Sequence, residues 1–234
     1  MVDRSALDPW IQSHHLEDAT LERYRKELAG HPAKLLLLED FLVPAKADKL
    51  TRFLEHEAQF GQEFGLYSDG SVSQEAWETA DPDERMSRLS RLAGIPPEYQ
   101  MSPNALTYLQ FRQALQQPAF VGFFEAATGF DLGESEDFGV HAMGEGDFLR
   151  PHSDDIKGRR IALVIYLSEG WEASYGGTLV MTDPSGSDSR IDPRHNSIVI
   201  FDVLADTMHQ VEPITADAAG RERYTIGGWY PDRS

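Results

Sequence analysis

The sequence has no cysteine among its 234 residues. This absence excludes disulfide bonds, zinc–thiolate sites, Fe–S clusters and a thiol nucleophile. Basic residues are also scarce, because 21 Lys and Arg stand against 39 Asp and Glu, which gives a net charge of −18. Non-specific nucleic-acid binding depends on clustered positive charge, so we expect no nucleic-acid partner.

Long apolar runs are missing as well. The longest, such as residues 35–38 and 161–167, are far too short to cross a bilayer. The N-terminal segment MVDRSALDPW lacks the apolar stretch of a signal peptide. We therefore expect a cytoplasmic protein with no membrane partner. Hydrophobic residues make up 41% of the chain, which is enough to build the core of a single domain.

The two parts of the chain differ in pattern. Residues 1–137 are mainly helical by apolar spacing, with predicted helices at 21–29, 45–60, 73–93, 103–115 and 120–128. From residue 138 to residue 234, short runs rich in Val, Ile, Thr, Tyr and Trp alternate with turn residues. The predicted strands are 138–143, 161–167, 178–182, 197–201, 209–214 and 223–230. This pattern predicts an α+β fold, a cupin-like jelly roll (double-stranded β-helix) supported by N-terminal helices.

The most specific local motif is Pro151-His152-Ser153-Asp154. On a strand, residues two apart point to the same side, so His152 and Asp154 can reach one point. His209, 57 residues later, is the best third ligand. Two histidines and one carboxylate on one face of a metal leave three positions open, as in non-haem Fe(II) oxygenases. The alternative is that the H-x-D motif occurs by chance and that His209 is a surface or capping histidine.

The last predicted strand carries a second pattern. With a period of two, Arg223, Thr225, Gly227 and Trp229 share a face. If that face lies inside a barrel, Arg223 is a buried cation that needs an anion, and a carboxylate ligand would satisfy it. The alternative is an arginine on the solvent face of an edge strand. Arg221 is a second choice for the same role, although it follows Ala-Ala-Gly and is placed in a turn.

Taken together, residues 138–230 resemble the 2-oxoglutarate- and Fe(II)-dependent oxygenases, and specifically the prolyl-hydroxylase-like branch. The motifs that carry the resemblance occur in the order of the family. They are GDFLRPHSD at 146–154, RIALVIYL at 160–167, the glycine pair in GGTL at 176–179, NSIVIF at 196–201, HQV at 209–211, RYT at 223–225 and WY at 229–230.

The resemblance implies a role for each matching residue. His152, Asp154 and His209 would bind Fe(II). Arg223 would pair with the distal carboxylate of 2-oxoglutarate, and Thr225 would lie beside that arginine.

Tyr166 matches a tyrosine that also donates to the distal carboxylate of 2-oxoglutarate in prolyl-hydroxylase relatives, although it reads equally well as a core tyrosine. Many relatives carry another tyrosine upstream of the H-x-D motif. Here that region reads His141-Ala142-Met143-Gly144, so His141 is the available substitute. Trp229 and Trp171 are assigned to packing.

The implied activity is that of a 2-oxoglutarate-dependent dioxygenase. Such an enzyme hydroxylates an unactivated C–H bond while 2-oxoglutarate is converted to succinate and CO₂. O₂ is the second cosubstrate. The resemblance is also compatible with ascorbate as a reductant. The substrate is either a small molecule, such as an amino acid, or a residue in a protein, such as proline, and the oligomeric state stays open. The alternative is a cupin-like metal-binding protein, or a metalloenzyme that does not use 2-oxoglutarate. Arg223 with Thr225 argues against it.

Overall fold

The computed structural model describes residues 2–156 and 158–233. The α-helices in this part of the chain are α1 (Arg4–Leu7), α2 (Asp18–Gly30), α3 (Pro44–His56), α4 (Gln74–Thr79), α5 (Pro103–Leu115) and α6 (Pro118–Thr128). The first strands are β1 (Leu35–Leu38), β2 (Gln59–Leu66), β3 (Gly70–Val72), β4 (Arg85–Gly94), β5 (Phe138–Met143) and β6 (Phe148–His152). The remaining strands are β7 (Arg159–Tyr166), β8 (Leu179–Thr182), β9 (Asp188–Ile191), β10 (Ser197–Asp202), β11 (Met208–Val211) and β12 (Arg223–Pro231). No helix within the described ranges combines the length and apolar character that a membrane span requires.

The strands form one curled antiparallel sheet. Its order is β1-β10-β7-β12-β5-β4-β6-β11-β8-β9, with β2 paired to β4 and β3 paired to β2. Strand β4 joins the two halves of the curl, since Arg91 pairs with His141 of β5 while Arg88 pairs with Phe148 of β6. The fold class predicted from the sequence, a jelly roll with N-terminal helices, is confirmed.

Alternation along β12 separates the two faces of the sheet. Tyr224 and Ile226 belong to the large core that the sheet shares with the helices. Arg223, Thr225 and the other odd-numbered residues to Trp229 line a cavity inside the curl. The predicted shared face of this strand is therefore confirmed, and it is the interior face.

The supporting helices begin and end where local chemistry requires it. Helix α5 begins at Pro103, and the hydroxyl of Ser102 accepts a hydrogen bond from the Ala105 N–H. Helix α6 ends at Gly129, whose φ of 83° is readily adopted only by glycine. These two helices, together with α2 and α3, bury their apolar faces against the outer side of the sheet.

Two local predictions need correction. The predicted helix over residues 73–93 is wrong, because only Gln74–Thr79 is helical and Arg85–Gly94 is a long strand. Apolar residues in this strand fall at spacings that also fit a helix, and pairing with β2 decides the outcome. The first part of the chain thus contributes four strands to the sheet as well as its helices.

Candidate active site

Strand pairing brings the two predicted histidine ligands together. His152 is the last residue of β6, and it lies directly opposite His209 of β11 in the register. Their ring centres are 4.1 Å apart. Asp154 follows just after β6, with Oδ1 3.7 Å from Nε2 of His152 and Oδ2 3.5 Å from Nε2 of His209. Ligand atoms of all three residues lie within 4.8 Å of one another, a spacing that can hold a metal ion.

Hydrogen bonds around the cluster orient these ligands. Nδ1 of His152 lies 2.9 Å from the carbonyl oxygen of Arg150, to which it donates, so Nε2 keeps a free lone pair. Burial, followed by the neighbouring His209, lowers the pKa of His152. A neutral imidazole is the form that binds metal. The ring of Phe201 lies 5.0 Å from that of His209 and closes one side of the cluster.

Asp154 is held as a carboxylate. Burial alone would raise its pKa, but the contacts with His209, His152 and Trp229 outweigh burial and lower it. The indole Nε1 of Trp229 donates to Oδ2 of Asp154 over 2.9 Å. The assignment of Trp229 to packing alone was therefore incomplete. Its position on the same face as Arg223 was the sequence signal that could have revealed this contact.

Arg223 lies in the wall of the same cavity. Its side chain is buried, and its guanidinium carbon lies 4.9 Å from the centre of the Tyr166 ring. Nε of Arg223 and the hydroxyl of Tyr166 have no hydrogen-bond partner in the described part of the chain. Burial lowers the pKa of Arg223, which means that the folded protein leaves this cation poorly solvated. Thr225 is the cross-strand neighbour of Tyr166, so the three predicted cosubstrate residues lie together.

Arg221 and Arg223, the two candidates for the cosubstrate arginine, differ in position. Arg221 is exposed and follows the 3₁₀ turn Ala216–Ala218, outside the sheet. Arg223 is 3% exposed and lines the cavity. Asp155 likewise lies on the outside, while Asp154 faces the histidines.

A glycine pair makes room for Arg223. A Cβ on Gly177 would lie 2.6 Å from Cδ1 of Ile214 and 2.8 Å from Cδ of Arg223. A Cβ on Gly176 would lie 2.2 Å from the carbonyl oxygen of Pro213. Any side chain at these positions would displace the segment around Ile214 or the arginine itself.

His141 occupies the cavity wall on β5, directly opposite Thr225. Burial, followed by the charges of Arg91 and Arg223, lowers the pKa of His141 to about 4. The imidazole is therefore uncharged at neutral pH, with one N–H donor and one acceptor nitrogen. Its suggested role in place of the missing tyrosine stays a prediction.

The cavity that contains these groups has a volume of about 530 Å³. Its walls are mostly apolar, with the metal-ligand cluster and Arg223 as convergent polar groups. Pockets of this size bind small molecules, and one cosubstrate the size of 2-oxoglutarate would leave room for part of a substrate. The donor set suits Fe(II), and the unpartnered atoms of Arg223 and Tyr166 suit a carboxylate. The site thus fits an iron ion and a dicarboxylate cosubstrate.

Comparison with known proteins agrees with this geometry. Residues 138–231 match the family model described as the 2OG-Fe(II) oxygenase superfamily. Prolyl 3-hydroxylase OGFOD1 of Xenopus laevis is 34% identical over 109 residues, which cover 44% of this chain and 21% of the relative. Its counterpart in Mus musculus is 30% identical over 117 residues, which cover 47% of this chain and 21% of that relative. The match thus spans about a fifth of the length of these curated relatives.

Solved structures extend the comparison to the whole fold. A prolyl hydroxylase of Trichoplax adhaerens, in complex with a peptide fragment of the hypoxia inducible factor oxygen degradation domain, has a TM-score of 0.63 at 16% identity, covering 92% of this chain and 90% of that one. A prolyl-4-hydroxylase of Pseudomonas putida has a TM-score of 0.53 at 23% identity, and the match covers 91% of this chain and 99% of that one. Residues 138–231 therefore resemble the 2OG-Fe(II) oxygenase superfamily in sequence, and the chain has a prolyl-4-hydroxylase-like fold.

Proposed function

We propose that this protein is a 2-oxoglutarate- and Fe(II)-dependent dioxygenase that hydroxylates a prolyl residue in a peptide or protein. The observation that carries the proposal is one cavity that holds two groups. One is an open cluster of two histidines and one carboxylate, and the other is a buried arginine with no anionic partner among the described residues. The prolyl substrate is supported by the relatives, since those named above are prolyl hydroxylases.

Each group of this chain has a defined task in that reaction. His152, Asp154 and His209 would hold the metal on one face. Arg223 and Tyr166 would bind the distal carboxylate of the cosubstrate through charge-assisted hydrogen bonds. Bound there, Fe(II) and 2-oxoglutarate would supply O₂ activation, in which one oxygen atom enters the substrate C–H bond and the other enters succinate as CO₂ is released. The apolar walls of the cavity exclude water from this chemistry.

The first experiment needs no substrate. Fe(II) and then 2-oxoglutarate are added to the purified protein without oxygen, and the visible spectrum is recorded. We expect the weak metal-to-ligand charge-transfer band of a 2-oxo acid chelated to Fe(II). The band should disappear in His209→Ala and persist in His56→Ala, a control in which an exposed histidine is removed. Iron binding without the band would favour the cupin-like alternative, and no iron binding would reject the metal site.

A second experiment tests the substrate class. Succinate formation is measured with a pool of proline-containing peptides, with the same peptides carrying alanine in place of proline, and with free L-proline. We expect turnover with the first set only, and a mass gain of one oxygen atom on the prolyl residue. Turnover with free proline alone would assign the enzyme to a small-molecule substrate.

A further inference from the structure

A chain of contacts leads from the protein surface to the carboxylate ligand. Arg159 pairs with Asp137 over 2.8 Å. Its guanidinium carbon lies 3.4 Å from the centre of the Trp229 ring. Trp229 in turn donates its indole N–H to Oδ2 of Asp154 over 2.9 Å. Each of these three contacts is short enough to be a direct interaction.

The backbone locks the same residues together. The N–H of Trp229 donates to the carbonyl oxygen of Asp137 over 3.1 Å. A Cβ on the preceding residue, Gly228, would lie only 2.1 Å from that oxygen, so this close approach needs glycine. Asp137 thus fixes the Trp229 backbone with its carbonyl and fixes Arg159 with its carboxylate. The indole ring is held from two directions.

Arg160, which follows Arg159 on β7, provides a comparison within the same protein. Arg160 also stacks on an aromatic ring, with its guanidinium carbon 3.8 Å from the centre of Phe130, and it pairs with Asp202 over 3.0 Å. Of these two stacked arginines, only Arg159 lines the cavity in the described part of the chain. Arg160 therefore has the same kind of contacts without any link to Asp154.

We infer that Arg159 is a positioning residue that acts through Trp229 to set the orientation of Asp154 toward the metal. The guanidinium restricts rotation of the indole ring, and the ring directs its single N–H at Oδ2. With Oδ2 engaged, Oδ1 is the carboxylate oxygen without a hydrogen-bond donor among the described residues. One ligand oxygen for the metal preserves the open positions that the cosubstrate and O₂ require. This inference rests on the proposed function only in requiring that the cluster bind a divalent metal.

The test measures metal binding rather than turnover. Co(II) is titrated into the purified 234-residue chain without oxygen. Competition with a fluorescent chelator gives the affinity, and visible spectroscopy reports the ligand geometry. Trp229→Phe keeps a ring for stacking but removes the N–H, and we expect about 10- to 100-fold weaker Co(II) binding. Arg159→Leu should weaken binding about 2- to 30-fold and shift the Co(II) spectrum in the same direction. Arg160→Leu should change neither the Co(II) affinity nor the Co(II) spectrum.

A double variant separates positioning from a general loss of structure. If Arg159 acts through Trp229, then Arg159→Leu has no further effect on Co(II) affinity in the Trp229→Phe background. Asp137→Asn is a milder variant that leaves the side chains of Arg159 and Trp229 in place. It should weaken Co(II) binding less than Arg159→Leu does. Equal effects of Arg159→Leu in the two backgrounds would overturn the inference, as would equal effects of Arg159→Leu and Arg160→Leu. Failure of the wild-type protein to bind Co(II) would instead reject the proposed function.

Discussion

The guanidinium of Arg223 lies against the ring of Tyr166, with the guanidinium carbon 4.9 Å from the ring centre. Nε of Arg223 and the Tyr166 hydroxyl have no hydrogen-bond partner among the residues that the structure describes. A desolvated cation–π contact stabilises a cation by about 2 kcal/mol. Burying an ion costs several kcal/mol after relaxation. The contact with Tyr166 alone therefore does not compensate the burial of Arg223, and a bound carboxylate would complete the site.

The first prediction concerns cosubstrate affinity. Arg223→Gln removes the charge but keeps a hydrogen-bonding amide, on a side chain that is about two bonds shorter. A hydrogen bond to a charged group contributes about 1.5–3 kcal/mol, so we expect the dissociation constant for 2-oxoglutarate to rise about 10- to 150-fold. The intensity of the anaerobic charge-transfer band, measured against 2-oxoglutarate concentration, gives this constant directly.

Arg221→Gln is the matched control, because it removes a nearby arginine that is exposed. It should leave the affinity for 2-oxoglutarate unchanged. If Arg221→Gln weakens binding and Arg223→Gln does not, the assignment of the cosubstrate arginine is wrong.

Much of this site was accessible from the sequence because it depends on alternation. The two-residue spacing of Arg223 and Thr225 on β12 fixes that their side chains share a face. Asp154 lies just beyond the end of β6 at His152, yet it still faces the same cluster. That reasoning needs no tertiary information once the strands are identified. It also placed Trp229 on the correct face, but only the structure shows its N–H directed at Asp154.

The parts that the sequence did not reveal depend on pairing between distant segments. Strand β4 was predicted as helix, yet it bridges β5 and β6 because Arg88 and Arg91 find partners about 50 to 60 residues later. Arg159 and Asp137 carry no motif, and their role follows from their distances to Trp229. Cytoplasmic localisation and the absence of a nucleic-acid partner stay predictions, and the oligomeric state stays open.

The second prediction concerns the glycine that makes room for Arg223. Gly177 has a φ of 72°, and a Cβ there would lie within 3 Å of both Ile214 and Arg223. Gly177→Ala should destabilise the fold by about 1–3 kcal/mol and also weaken 2-oxoglutarate binding, because the arginine must shift. Urea unfolding and the charge-transfer titration measure the two effects separately.

Gly186→Ala isolates the backbone contribution, since Gly186 has a φ of 84° and nothing within 4 Å of its Cβ position. It should lower stability without changing the affinity for 2-oxoglutarate. Normal cosubstrate affinity in Gly177→Ala would show that Gly177 has no part in shaping the arginine site.

The third prediction concerns the ion pair that ties β4 to the β5–β6 turn. Nε of Arg88 donates to Asp147 over 2.7 Å, and Nη2 donates to the carbonyl oxygen of Glu145. Asp147 is 5% exposed, so Arg88→Met would leave a buried carboxylate without its cation. Breaking such a pair costs about 3 kcal/mol, and we expect a loss of this size in urea unfolding.

The control for this variant is Arg23→Met, which breaks the exposed pair with Glu27 on α2. Exposed pairs of this kind contribute less than about 1 kcal/mol. Similar losses from the two variants would mean that burial of Asp147 does not determine the strength of its pair.

The last prediction concerns stability in acid. His15 is buried, its Nδ1 lies 2.6 Å from the hydroxyl of Tyr24, and its Nε2 lies 3.1 Å from the carbonyl oxygen of Asp40. Burial, followed by the neighbouring His14, lowers the pKa of His15 from 6.5 to about 4. Between these two pH values the unfolded chain binds a proton that the folded chain does not. The free energy of unfolding should therefore fall as the pH is lowered through this range, by up to about 3 kcal/mol from this residue.

Thermal unfolding of His15→Gln from pH 7 to pH 4 checks this expectation. Glutamine keeps hydrogen-bonding capacity but cannot titrate, so the variant should lose less stability than the wild-type protein over this range, even if it starts from a lower value at pH 7. His56→Gln replaces an exposed histidine on α3 and should follow the wild-type slope. Parallel curves for His15→Gln and the wild-type protein would show that protonation of His15 does not drive the loss, and His141, whose pKa is also lowered to about 4, would be the next histidine to replace.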